Sequence, residues 1–156
     1  MPKPALNRVV ADFRLQATGN QEISLKSLRG KKVVIYFYPK DNTPGCTTEG
    51  QDFRDLHNKF KRQNTVILGI SRDSVASHEK FRAKFDFPFA LLSDPDEKVC
   101  RQFDVIREKT LYGRKFMGVE RSTFLIDENG KLRNEWRKVR VKGHAQEVLD
   151  AVKNCQ

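Results

Sequence analysis

The chain has 156 residues, of which 38% are hydrophobic and 32% charged, and a formal net charge of +10 at pH 7. That length suits one complete domain with a sizeable core and is short for two, so a single domain over residues 1–156 is expected. No apolar run approaches the roughly 20 residues of a membrane span, and residues 1–12 lack a continuous apolar leader core. Cys46, Cys100 and Cys155 are odd in number and far apart, which is neither a disulfide framework nor a zinc pattern. The expectation is a cytoplasmic protein away from membranes, with no metal and no cofactor. The positive charge raises nucleic-acid binding as a question. The basic residues are spread rather than blocked, however, and Lys131, Arg133 and Arg137 alternate with Leu132 and Trp136 as the solvent face of a half-buried strand would. A solvated face with no nucleic-acid partner is the reading.

In chain order, Phe13-x-Leu15-x-Ala17 and Ile23-x-Leu25 alternate around Gly19-Asn20, so a β-hairpin opens the fold. Residues 27–32 form a loop. Val33-Val34-Ile35-Tyr36-Phe37-Tyr38 is β-branched and aromatic throughout and reads as a buried strand. Residues 47–62 carry Phe53, Leu56 and Phe60 on one helical face. Thr65-Val66-Ile67-Leu68-Gly69-Ile70-Ser71 is a second buried strand, which makes a parallel, right-handed βαβ unit.

Ser74 reads as the N-cap of a helix to about Phe85, with His78 lying along the seam between helix and sheet; a proton-shuttle role is its alternative. A short strand over residues 87–92 follows. Asp94-Pro95-Asp96-Glu97 reads as N-cap, Pro at the first helical position and an acidic third, opening a helix that buries Val99, Cys100 and Phe103. Residues 107–118 read as a loop or short edge strand. Thr123-Phe124-Leu125-Ile126 and residues 132–136 flank an Asn129-Gly130 turn, and Gly143 leads into a last helix with Ala145, Val148, Leu149 and Val152 on one face.

Between the first buried strand and its helix stand Pro39-Lys40-Asp41-Asn42-Thr43-Pro44-Gly45-Cys46. Two prolines and a glycine make a sharp turn that delivers Cys46 at or near the first turn of the helix. Unpaired N–H groups and the positive end of the helix dipole favour a thiolate there.

The pattern Pro39-x3-Thr43-x2-Cys46 resembles the active-site signature of the peroxiredoxins, thiol peroxidases on a thioredoxin-like scaffold. The longer run Tyr38-Pro39-Lys40-Asp41-Asn42-Thr43-Pro44-Gly45-Cys46-Thr47-Thr48-Glu49 is similar to the bacterioferritin-comigratory (Q-type) branch. Twelve residues in register between a strand and a helix make a specific match. The resemblance spans nearly the whole chain. It implies an α/β thioredoxin-like fold in its peroxiredoxin variant, with the N-terminal β-hairpin and an inserted helix/strand region as additions.

A cysteine peroxidase must keep its thiol ionised, hold the peroxide in line and stabilise the departing oxygen. Free cysteine titrates near about 8.5, and lowering that to about 6 takes roughly 3.4 kcal/mol. A helix N-terminus supplies roughly 0.3–1 kcal/mol and seldom more than about 2. A fixed cation is therefore required beside Cys46. Spacing does not choose among 30 basic residues; the resemblance implies Arg121, whose fork of donors suits both sulfur and a peroxide oxygen. Thr43 offers one hydroxyl to the peroxide, as acceptor or donor. Pro39 presents an apolar ring that limits water at the sulfur. The backbone N–H groups of Gly45 and Cys46 are the remaining donors.

The expected product is Cys46 sulfenic acid plus water or an alcohol. Many Q-type members carry a resolving cysteine where this chain has Gln51, and others near where Arg82 stands. Cys100 reads as a small core residue. Cys155, on a frayed terminus, is the possible resolving thiol. The sequence thus favours a one-cysteine cycle completed by thioredoxin, glutaredoxin or a small thiol, in a monomer or weak dimer. The alternatives are a two-cysteine cycle through Cys155 and a non-enzymatic thiol sensor or chaperone.

Overall fold

A computed structural model describes residues 3–155; Met1 and Pro2, part of the segment read as lacking a leader, lie outside them. In chain order the elements are β1 (Arg14–Ala17), β2 (Gln21–Ser24), β3 (Lys32–Phe37), α1 (Pro44–Arg62), β4 (Thr65–Ser71), α2 (Val75–Phe85), β5 (Ala90–Ser93), α3 (Lys98–Gln102), β6 (Ile106–Leu111), β7 (Arg114–Val119), β8 (Ser122–Ile126), β9 (Leu132–Trp136) and α4 (His144–Asn154). Among the described residues no helix is long and apolar enough to cross a membrane.

Seven strands form one sheet in the order β2-β1-β5-β4-β3-β8-β9, with β3, β4 and β5 parallel and the outer pairings antiparallel. β3 sits inside the sheet and is buried along its whole length, as its unbroken apolar run demands. Its side chains alternate between two cores. Val33, Ile35 and Phe37 face one with Phe13, Val99, Cys100 and Phe103; Val34, Tyr36 and Tyr38 face the other with α1, α2 and α4. Phe53 of α1 stacks on Tyr36 at 4.8 Å and is fully buried, so its truncation to Ala is expected to destabilise by about 3–5 kcal/mol.

The opening hairpin, the βαβ unit, the Ser74 cap, the β8–β9 hairpin and the last helix stand where the sequence places them; Ser74 Oγ accepts Ser77 N–H at 3.1 Å. Several details differ. α1 begins at Pro44, not Thr47, because Pro44 occupies a first-turn position where its missing N–H is harmless. Pro88 cannot pair, so the strand drawn over residues 87–92 is β5 alone. Phe87 and Phe89 stack on each other at 5.4 Å instead.

Asp94 is not the cap of α3. A turn bonds Glu97 N–H to Asp94 O, Glu97 takes a left-handed φ of 63°, and the helix starts at Lys98. The Asp94 carboxylate still reaches a helix donor, accepting Cys100 N–H at 2.7 Å. Residues 107–118 are neither a loop nor one edge strand. They form a separate two-stranded hairpin, β6–β7, turned by Tyr112 and Gly113 with φ of 51° and 76°, the positive values a tight primed turn requires.

The basic residues of β9 depart from a plain alternation. A bulge lets Ile126 pair with Leu132 and Leu125 with Asn134, so Arg133 drops out of register and pairs with Asp127 at 3.3 Å. Arg137, just past β9, turns inward and donates to Asp104 O and Phe103 O at 2.7 and 2.9 Å, covering the two carbonyls that follow α3.

Candidate active site

β3 ends at Phe37, and the chain passes half-buried Pro39 before Thr43 opens α1 as its extended N-cap. The first helical hydrogen bond runs from Thr47 N–H to Thr43 O at 2.8 Å. Gly45 and Cys46 precede it, so their N–H groups lack helical acceptors and face the head of the helix. Cys46 sits in this first turn with its side chain buried at 2% exposure.

Arg121 arrives from the residue before β8. Strand β8 runs antiparallel to β3, pairing Ser122 with Phe37, and so brings Arg121 to the end of the sheet where α1 begins. Val139 N–H bonds the Arg121 carbonyl at 3.0 Å and fixes its main chain. One guanidinium nitrogen, Nη2, donates to Cys46 Sγ at 3.4 Å; the other, Nη1, donates to Glu49 Oε1 at 2.6 Å. Burial disfavours the guanidinium charge, but the Glu49 and Cys46 charges outweigh it and hold Arg121 firmly protonated.

Glu49 is the site residue that sequence reasoning missed. Its signal was available: Glu49 stands three residues after Cys46, on the same face of α1. It is 1% exposed, and its second oxygen, Oε2, has no hydrogen-bond partner. Burial pushes its carboxyl up to about 7 although Arg121 pulls the other way. Lys109, from the β6–β7 hairpin, also enters the neighbourhood, its Nζ donating to Val119 O at 2.6 Å. Burial and then the Arg121 charge lower its pKa, while the Cys46 sulfur opposes them.

The Thr43 hydroxyl spends its single proton on Lys40 O at 2.8 Å. Of the two roles open to it, only acceptance from a peroxide remains in this arrangement. Thr43, Gly45, Cys46 and Arg121 are therefore brought together, with Pro39 at the entry to the same turn.

The other two sulfurs lie elsewhere. Cys100 belongs to the core on the opposite face of the sheet, is fully buried, and has its thiol pushed far up by that burial and by Asp94. Cys155 is not on a frayed end: it is 7% exposed in the core beneath α4, its N–H bonded to Val152 O, and burial raises its thiol. The charges around it are Arg133, Lys32, Asp127 and Glu128, which mark the start of β3. Cys46 lies past the end of β3, and six strand residues span roughly 16 Å. That exceeds the roughly 7 Å between Cα atoms that a disulfide tolerates.

Known proteins match this architecture. The AhpC/TSA family matches residues 6–135. Peroxiredoxin Bcp of Xanthomonas campestris is 53% identical over 91% of this chain and 89% of its own length. Peroxiredoxin Bcp of Bacillus subtilis is 48% identical over 92% of this chain and 91% of its own. Among solved structures, the X. campestris bacterioferritin comigratory protein, described with alkyl peroxide reduction activity, superposes with a TM-score of 0.87 at 51% identity, covering 91% of this chain and 90% of that one. A PrxQ mutant from Xylella fastidiosa superposes at 0.92 with 42% identity, covering 99% and 98%. With its fold, its family match and these relatives agreeing, the chain belongs to the AhpC/TSA family, among the peroxiredoxins of the Bcp or Q type, which are thiol-dependent peroxidases.

Proposed function

We propose that Cys46 is the peroxidatic cysteine and that the cycle uses this one sulfur. The Cys46 thiolate attacks the nearer peroxide oxygen, the O–O bond breaks, and the departing oxygen leaves as water or an alcohol after taking up a proton. Cys46 is left as the sulfenic acid. The observation that carries this reading is the Arg121 guanidinium, 3.4 Å from Sγ and clamped from behind by Glu49. A cation so placed supports the thiolate before reaction and meets charge developing on the peroxide during it. Thr43 Oγ1 accepts a hydrogen bond from the peroxide O–H, the Gly45 and Cys46 N–H groups face the oxygens, and Pro39 keeps water from the sulfur.

The sulfenic acid is then attacked by an external thiol, thioredoxin, glutaredoxin or a small one, and a second thiol releases Cys46. The burial of Cys100 and Cys155, each distant from Cys46, supports this route. The X. campestris relative's alkyl peroxide reduction supports alkyl hydroperoxides as substrates beside hydrogen peroxide. The single domain works in the cytoplasm as a monomer or weak dimer. Peroxide consumption with a dithiol reductant tests the assignment. Cys46→Ser is expected to abolish it and Cys100→Ser to leave it nearly unchanged; a folded but equally inactive Cys100→Ser would overturn the division of roles.

A further inference from the structure

Beneath the turn that carries Thr43 lies a buried polar group that the peroxide chemistry does not touch. His78, on α2, has no exposed side-chain surface, and both its ring nitrogens are bonded: Nε2 to Leu92 O at 2.9 Å, Nδ1 to Asp41 Oδ2 at 2.7 Å. A carbonyl oxygen has no proton to give, so Nε2 carries one. A second proton lies between Nδ1 and the Asp41 carboxylate, since two bare lone pairs would repel at that distance. Drawn as imidazolium with carboxylate or as imidazole with carboxylic acid, the pair is neutral overall, which is how it is tolerated in the interior. It also leaves His78 no lone pair for a metal, although donor atoms of Asp41, Asp73 and His78 lie within 4.8 Å of one another.

Asp41 is held from every side. Tyr38 OH donates to its Oδ1 at 2.6 Å and Ser77 Oγ to its Oδ2 at 2.8 Å, while its own N–H donates to Asp73 Oδ2 at 2.9 Å. Burial keeps the Tyr38 hydroxyl protonated and able to donate. Asp73 is pinned in turn by Ser71 Oγ at 2.7 Å. The next residue, Asn42, takes a left-handed φ of 59° and accepts from Lys84 at 3.2 Å. Thr43 follows, its hydroxyl bonded to Lys40 O on the other side of Asp41. The direction of the Thr43 hydroxyl is therefore set by the Asp41 turn, whereas Arg121 reaches Cys46 from β8 and is held by Glu49 on α1.

We propose that His78 is a positioning residue for the peroxide step: through its bond to Asp41 it fixes the 39–43 turn that aims the Thr43 hydroxyl at the bound peroxide. The proposal rests on the roles given above to Cys46 and Thr43. It separates two reactions of one sulfur. Reaction with peroxide needs Thr43 in place; alkylation by iodoacetamide needs only the Cys46 thiolate beside Arg121.

Two substitutions divide the imidazole's bonds between them. His78→Asn puts an amide nitrogen near the Nδ1 position and keeps the Asp41 bond; His78→Gln reaches the Nε2 position and keeps the Leu92 bond. Single-turnover rates with hydrogen peroxide are measured beside iodoacetamide rates. His78→Gln is expected to slow the peroxide step by about 10- to 100-fold, the scale of a misplaced reacting group, with alkylation within about twofold of wild type. His78→Asn should recover most of the peroxide rate. Equal loss in both variants, or alkylation falling in parallel with peroxide reaction, would overturn the proposal and leave His78 as packing. Should His78→Gln not fold, Asp41→Ala removes the group that His78 Nδ1 bonds and is held to the same split; an unchanged peroxide rate there overturns the proposal equally. A wild-type protein without peroxidase activity would sink the functional assignment itself, a different result from an active wild type matched by His78→Gln.

Discussion

Gly45 and Arg121 are fitted to each other: a Cβ at residue 45 would stand 3.1 Å from Nη2, the nitrogen that reaches Cys46 Sγ at 3.4 Å. A methyl group at residue 45 would crowd that nitrogen, which would have to give by a few tenths of an ångström. Gly45→Ala is thus expected to push the guanidinium away and slow the reaction of Cys46 with peroxide by about tenfold or more. Stability should hold or rise, because Ala is favoured over Gly within a helix by up to about 1 kcal/mol. Stopped-flow rates beside thermal melts check this. A peroxide rate equal to wild type would mean that Arg121 accommodates the methyl group without leaving Cys46.

Glu49 makes stability depend on pH in an unusual direction. Its carboxyl, ordinarily near 4.5, is raised by burial to about 7 in the folded chain. The folded state therefore binds more protons than the unfolded state between those values, and stability falls as pH rises through them. The contribution is complete below about 4.5, gone above about 7, and on the order of 3 kcal/mol. Glu49→Gln keeps an acceptor for Arg121 and abolishes the titration. Urea unfolding at pH 5 and pH 8 should show wild type losing more stability with rising pH than Glu49→Gln; parallel profiles would remove Glu49 as the cause.

Arg137 holds the turn that follows α3. Its two terminal nitrogens take Phe103 O and Asp104 O, and its guanidinium lies 5.3 Å over the Phe124 ring. Arg137→Ala leaves those carbonyls without their donor, an expected loss of about 2–3 kcal/mol. Arg137→Lys should recover only part of it, since an ammonium cannot reproduce the fork. A shift below about 0.5 kcal/mol in denaturant unfolding would show that water replaces the side chain freely.

What the sequence disclosed follows from how local each signal is. β3, α1 and the place of Cys46 were legible because an apolar run, a helical stripe and two prolines all lie within a few tens of residues. Arg121 was not reachable by spacing, since 75 residues separate it from Cys46 and the strand pairing that brings it back is non-local; resemblance pointed to it. Glu49 was legible in principle, one turn after Cys46 on the same face of α1, but nothing local shows that its carboxylate is buried against an arginine 72 residues away. The Asp41–His78 bond spans 37 residues and joins a loop to a helix, so the helical face of His78 could say that it packs but not against what. Cys155 was misplaced for the opposite reason: nearness to the chain end suggested fraying, whereas the apolar stripe of α4 carries the last turn into the core.

The recycling step divides cleanly on Cys155. Its thiol is buried at the start of β3, and Cys46 stands beyond the other end of that strand, with β3 itself spanning roughly 16 Å. An intramolecular bridge would require the end of α4 to leave its core and the head of α1 to unwind, exposing Val148, Leu149 and Val152, all fully buried. Neither is needed if an external thiol meets the sulfenic acid at the mouth of the site. One equivalent of peroxide, added without reductant, should therefore leave Cys46 as a sulfenic acid trappable by dimedone, with Cys100 and Cys155 still free thiols by mass spectrometry. Further peroxide should carry Cys46 to the sulfinic form. Cys155→Ser should turn over with a thiol reductant at a rate within about twofold of wild type, since a substitution away from the reacting atoms and the site leaves transition-state stabilisation intact. A Cys46–Cys155 disulfide in high yield, with turnover lost in Cys155→Ser, would replace the one-cysteine cycle by a two-cysteine one. A bridge formed only between chains, its yield rising with protein concentration, would place the second sulfur on another copy.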